Sequence, residues 1–106
     1  MFTLITNGAC FDVRRVSQND VTYMNKATGQ SYRVQAIADT WSENGYRYTD
    51  VMVLVNGKVV FTAFDERITN RASRYTRRYL FTSESQVYPV AMDIGERYVK
   101  RQEAIV

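Results

Sequence analysis

The sequence predicts an α+β fold: a small, strongly curved antiparallel sheet or partly open barrel, SH3-like or OB-like, carrying one or two helices. Three observations predict it. Tyr32–Ala38 alternates with period two, Asn56-Gly57 sits between two apolar runs as a hairpin turn, and Pro89 precedes a stretch with helical spacing. At 106 residues the chain is long enough for one core and too short for two ordinary domains, so residues 1–106 read as a single compact domain.

Taken in order, Phe2–Thr6 reads as a strand, Asn7-Gly8 as a turn and Ala9–Val16 as a second strand. Ser17-Gln-Asn-Asp20 is turn-like, Val21–Met24 extended, and Asn25-Lys-Ala-Thr-Gly29 a loop whose glycine takes positive φ at little cost. From Tyr32 to Ala38 the side chains Tyr32, Val34, Ala36 and Ala38 share one face, with Arg33, Gln35 and Ile37 opposite. The polar run Asp39–Gly45 reads as a break, closed by Asn44-Gly45 in a type I′ turn or a longer loop. Tyr46–Val55 ends continuously apolar, as a heavily buried central strand does, and Lys58–Phe64 resumes extended structure beyond Asn56-Gly57. A three-stranded sheet through Tyr32–Phe64 is therefore the firmest structural expectation.

Two periods compete over residues 70–81. With Thr69 or Asn70 as N-cap, Arg71, Arg74 and Arg78 follow at helical spacing beside Ala72, Tyr75 and Tyr79. As a strand, Tyr75, Arg77, Tyr79 and Phe81 would share one face. The helix reading, through about Arg78, is preferred because one arginine among the aromatics weakens the alternation. Thr82–Gln86 reads as a loop, and Pro89 as the start of a last helix with Val90, Ile94, Tyr98 and Val99 as its apolar stripe and Gly95 as an interruption.

Charge is distributed unevenly. The chain has 14 basic and 11 acidic residues, net +3, yet Arg67–Arg78 holds five arginines and no acid; without it nine bases face eleven acids, net −2. Guanidiniums clustered in this way grip phosphate or carboxylate bidentately. Arg67, Arg71, Arg74, Arg77 and Arg78 are accordingly the candidate contact residues, with Tyr75 and Tyr79 as stacking rings. Arg33 and Arg47, with Tyr46 and Tyr48, form a second patch if a curved sheet brings them together.

The resulting expectation is a non-enzymatic nucleic-acid-binding or accessory protein that holds the phosphate backbone of DNA or RNA. The alternative is a protein-binding inhibitor or regulator of a nucleic-acid-processing enzyme, and a metal-free ribonuclease ranks third. No helix-turn-helix, cysteine/histidine finger or glycine-rich phosphate loop is present, so no sequence-specific reader is expected. With no histidine and one cysteine, Cys–His catalysis and histidine- or thiolate-bound zinc are excluded, and Cys10 reads as an inert, buried thiol. Asp50, Asp65 and Glu66 at strand ends are read as strand-terminating or arginine-pairing acids in preference to magnesium ligands, so no metal and no cofactor is expected. The longest strongly apolar run, Val51–Val55, is far short of the roughly 20 residues that cross a bilayer. With no secretory pattern at the start, a cytoplasmic protein without a membrane partner is expected, and an uncovered strand edge is compatible with a homodimer.

Overall fold

The computed structural model describes residues 2–6, 9–69 and 79–104, with side chains at 10–69 and 79–103. The order is β1 (Phe2–Thr6), β2 (Ala9–Ser17), β3 (Asp20–Asn25), β4 (Ser31–Glu43), β5 (Tyr46–Val55), β6 (Lys58–Ile68), a 3-10 turn at Glu84–Gln86 and α1 (Val87–Ala104). Each strand pairs antiparallel with its sequence neighbours: β2 to β6 make a five-stranded meander, and β1 adds to its edge beside β2.

The strongly curved or barrel-like sheet, SH3-like or OB-like, is not what forms. A barrel needs its outer strands to pair, whereas the strand order runs from β1 to β6 without returning, and the sheet stays open. The radius of gyration, 15.6 Å, exceeds the about 13 Å of a compact domain of this size. α1 does not cover a barrel mouth; it lies across one face of the open sheet, over β4 and β5.

The hairpins follow from left-handed residues at their turns. Asn44 and Gly45 have φ of 52° and 81°, and Asn56 and Gly57 52° and 79°, the positive pair that a type I′ turn requires. Asn56 also ties its turn to β4, since its side-chain oxygen accepts from the Arg33 N–H (2.8 Å) and its amide donates to the Ser31 carbonyl (3.1 Å).

Two strands run further than their sequence suggests. The run Asp39–Glu43 continues β4 without a break, and only Asn44-Gly45 turns the chain. Polar residues are tolerated there because Asp39, Trp41 and Glu43 alternate onto the face that α1 leaves open, while on the other face the buried Thr49 hydroxyl donates to the Asp39 carbonyl (3.1 Å) and accepts from Thr40 (3.4 Å). β6 passes through Asp65-Glu66 by a bulge instead of ending there. Asp65 takes φ of 54°, and its N–H is received by the Asp50 carboxylate at 2.9 Å, which stabilises the irregular backbone. The extension carries β6 to Ile68 and places Arg67 opposite Tyr48.

Against the covered face, Val21, Tyr23, Val34, Ala36, Val51, Val53 and Val55 meet Val87, Ala91, Met92 and Val99 of α1, with Phe11 and Phe81 buried in the same cluster. The helix begins at Val87, two residues before Pro89, whose missing N–H costs nothing in a first turn. Its most buried row is Val87, Ala91, Gly95 and Val99, whereas Val90, Ile94 and Tyr98 are half-buried beside it. Gly95 is thus no interruption. A Cβ there would lie 2.3 Å from Val34 Cγ1 and 3.2 Å from Val53 Cγ1, so the missing side chain is what lets the helix seat on β4 and β5.

The far end of α1 is locked by a polar contact. Asn25, 5% exposed, donates to the Glu103 carboxylate at 3.0 Å while its oxygen accepts from the N–H groups of Ala27 (2.8 Å) and Thr28 (3.3 Å). One amide therefore orders the β3–β4 loop and ties it to the last helical turn. Nearby, burial, reinforced by a hydrogen bond to Glu103, pushes the Tyr32 phenol up to about 12. Tyr23, edge-on to Phe11 at 6.4 Å, is likewise pushed up to about 12, chiefly by burial and then by the charge of Glu96.

Gly95→Ala is expected to destabilise the protein by about 1–3 kcal/mol through overpacking, outweighing the roughly 1 kcal/mol of helix propensity that alanine gains. Urea unfolding of Gly95→Ala, Val34→Ala and the double variant should show less loss in the double than the sum of the singles. Because both phenols titrate above their ordinary value of 10.0, the native state keeps protons that the unfolded chain sheds. Stability should hold below pH 10 and fall as pH rises from 10 towards 12, less steeply in Tyr23→Phe, as followed by urea midpoint against pH.

Candidate functional site

At one pole of the sheet the Asn44-Gly45 turn, the end of β6 and the segment Thr82–Glu84 enclose a cleft of about 520 Å³, lined by Tyr46, Arg47, Arg67, Thr69, Ser83 and Glu84 among others. Strand register decides what points where. Trp41 of β4 faces Tyr48 of β5, and Tyr48 faces Arg67 of β6, so the three side chains cross three strands on the open face. Trp41 and Tyr48 stack with centroids 6.0 Å apart and planes 23° off parallel.

Arg67 turns back over Tyr46, its guanidinium carbon 3.8 Å from the ring centroid. Its Nε is buried without a hydrogen-bond partner, and among the described residues no carboxylate lies within ion-pairing distance of it. A cation held by a ring face keeps its outer N–H groups for an incoming anion. Arg47 lies on the opposite face of β5, bound to the Ser42 hydroxyl (2.8 Å) and to the Glu84 carboxylate. Its charge is already matched.

Arg33 stands apart from both. It grips Asp20 through two bonds, Nε to Oδ1 at 3.1 Å and Nη2 to Oδ2 at 2.6 Å, which hold the Asp20 carboxyl below its usual value and the Arg33 guanidinium above its own. Ser42, the partner of Arg47, is nine positions further along β4, roughly 30 Å along the strand. The second patch therefore divides: Tyr46, Arg47 and Tyr48 gather at the pole, where Arg67 of the arginine-rich segment joins them, and Arg33 sits at the other end.

Of the arginine-rich segment, Arg71, Arg74, Tyr75, Arg77 and Arg78 lie outside the described residues, as does the choice between helix and strand over 70–78. Its two ends are placed. β6 delivers Thr69 to the pole, the chain is described again from the half-buried Tyr79, and the Thr69 N–H donates to the carbonyl of fully buried Phe81 at 3.2 Å. Departure and return are thus pinned beside Arg67. Trp41 escaped the sequence-based site because Asp39–Glu43 read as a loop; once β4 is continuous, period two sets it opposite Tyr48.

Among the described residues no three histidine, cysteine or acidic side chains gather closely enough to hold a metal ion, and Cys10 is half-buried. No helix among them is long and apolar enough to cross a membrane. No protein-family model, curated protein or solved structure matches the chain, so its own geometry carries the functional reading.

The Arg47–Glu84 pair is exposed, with 44% and 53% of the two side chains accessible, so Glu84→Gln should change stability by no more than about 1 kcal/mol in urea unfolding. The same variant releases a second guanidinium at the pole. If the pole attracts anions, its affinity for a polyanion such as heparin should rise, as read by elution salt on a heparin column.

Proposed function

We propose that this protein is a non-enzymatic binder of single-stranded nucleic acid, holding phosphates with arginines rooted at the Tyr46–Arg67 pole and stacking unpaired bases on the neighbouring rings. The observation that carries the reading is Arg67: a guanidinium seated on an aromatic face with no carboxylate partner among the described residues, where the segment bearing Arg71, Arg74, Arg77 and Arg78 begins. The positions of Trp41, Tyr46 and Tyr48 on the same open face support base stacking, worth about 1–3 kcal/mol per base in proteins that bind this way. A binding role is favoured over catalysis because Glu84, the carboxylate lining the cleft, is engaged by Arg47 and not placed as a proton acceptor. Charge supplies the attraction and the rings favour single strands, with no bias between DNA and RNA.

Fluorescence anisotropy with short single- and double-stranded DNA and RNA over a salt series tests this. Single strands should bind more tightly at low salt, and Arg67→Ala should weaken binding and flatten the salt slope by roughly 0.7 for the lost phosphate contact. Arg97→Ala removes the same charge from the exposed side of α1 and should leave binding unchanged. Absence of binding to every oligonucleotide at low salt, or equal losses in the two variants, would overturn the reading.

A further inference from the structure

α1 lies over β4 and β5, and to one side of that seam a cleft of about 320 Å³ opens between the helix and β2–β3. It shares no lining residue with the cleft at the Tyr46–Arg67 pole. Its helical wall is Pro89, Met92, Asp93 and Glu96, which recur at three and four positions and so form one stripe of α1. The opposite wall comes from the sheet, where the register sets Val13 against Tyr23 and Arg15 against the buried Val21, so that Arg15 and Tyr23 both turn towards the covered face.

Tyr23 is only 7% exposed, yet its hydroxyl has no hydrogen-bond partner among the described residues and keeps its access to solvent through the cleft it lines. A buried phenol is ordinarily bonded, so this one is a donor left for a ligand. The charges of Glu96, Arg15 and Asp93 all act on that phenol, which sets two anions and a cation around one hydroxyl. Among the described residues no ion pair crosses the cleft: Arg97 holds Asp93 at 2.9 Å and Lys100 holds Glu96 at 3.5 Å, each one turn along α1, while Arg15 donates to the Ser17 carbonyl at 3.3 Å. Opposite charges face one another over open space.

We infer that this cleft binds a free α-amino acid with a medium-sized apolar side chain. The charges select a zwitterion, because an anion alone would meet two carboxylates, a simple cation would meet Arg15, and an uncharged ligand would strip water from all three without replacing it. A zwitterion answers each group: its carboxylate takes the Arg15 fork and the Tyr23 hydroxyl, and its ammonium donates to Asp93 and Glu96. Both carboxylates retain acceptor sites for this, since one ion pair uses only part of the capacity of two oxygens. Pro89 and Met92 supply apolar surface for the side chain, the thioether adapting to its shape. The volume stands at the low end of the roughly 300–1,000 Å³ of ligand pockets, which suits a molecule of this size.

Heteronuclear NMR titration of the full chain with L-leucine, L-methionine and L-phenylalanine tests the inference, with circular dichroism to verify the fold of each variant. At least one should bind saturably below about 10 mM, with shifts centred on Arg15, Tyr23 and Met92. The methyl ester and the N-acetyl derivative of that amino acid each lack one charge, and both should bind about tenfold or more weakly. Tyr23→Phe keeps the ring and loses only the hydroxyl, so it should weaken binding about three- to tenfold, and Arg15→Gln and Glu96→Gln about tenfold or more. Arg14→Gln removes the same charge from the other face of β2 and should change nothing. Four results would each overturn the inference: no saturable shift with any of the three at about 10 mM, shifts lying away from the cleft, a derivative that binds as tightly as its parent, or wild-type affinity in both Tyr23→Phe and Arg15→Gln.

Discussion

The architecture depends on one close approach. α1 reaches β4 and β5 only because position 95 carries a hydrogen where any other residue would carry a carbon 2.3 Å from Val34. That contact sets how deeply the helix sits, and the small Ala91, one turn away, continues the same seat. Large side chains gather where the surfaces diverge: Phe11 and Tyr23 towards β2 and β3, and Phe81 where the chain returns to the core. A row of valines on a flat sheet meets a row of small residues on a helix, and dispersion over that seam replaces the closed barrel that would otherwise bury the strands.

Placing the helix on one face determines the chemistry of the other. Every second residue of β4 and β5 turns away from α1, so the same alternation that builds the core also lays out Ile37, Asp39, Trp41 and Glu43 along one strand and Leu54, Met52, Asp50, Tyr48 and Tyr46 along its neighbour. The open face is graded along its length, from an ion pair at Arg33–Asp20, through an apolar middle, to aromatic rings and Arg67 at the pole. The apolar middle and the guanidinium-bearing pole occupy different zones of this gradient. The bulge at Asp65 connects them, because the extra residue lets β6 carry Phe64 to the apolar zone and Arg67 to the aromatic one.

Much of this is legible in the residues, and the misreadings share a cause. The Asn56-Gly57 turn is read correctly, and Asn44-Gly45 takes the first of its two readings, because positive φ at two successive positions leaves little chemical choice; Asn7-Gly8 lies outside the described residues. The run Asp39–Gly45 reads as a break, yet its first five residues continue β4, because polarity is a poor sign of a loop when one sheet face is wet. Asp65-Glu66 misled in the same way, since the carboxylate that rescues the bulge belongs to Asp50, fifteen positions earlier. The barrel expectation failed because short strands and turns are common to closed and open meanders; only pairing between first and last strands separates them, and no local signal encodes it. On α1 the bulky Val90, Ile94 and Tyr98 drew attention from the small residues that face the sheet. At the site, composition pointed to the arginine-rich stretch, and Arg67 and Arg47 converge at its root, but the neutralising partners Asp20 and Glu84 lie 13 and 37 positions from the arginines they bind and could not be anticipated.

The meander also has a temporal side. Every strand neighbour is a sequence neighbour, so ribosomal synthesis can zip β1 to β6 progressively with short loop closures and little entropic delay. The valine rows of that nascent sheet must nevertheless wait for residues 87–104, which follow all six strands in the chain, before the helix shields them. For that interval the half-finished sheet shows two greasy sides instead of one, the stage at which exposed apolar surface is most prone to aggregate.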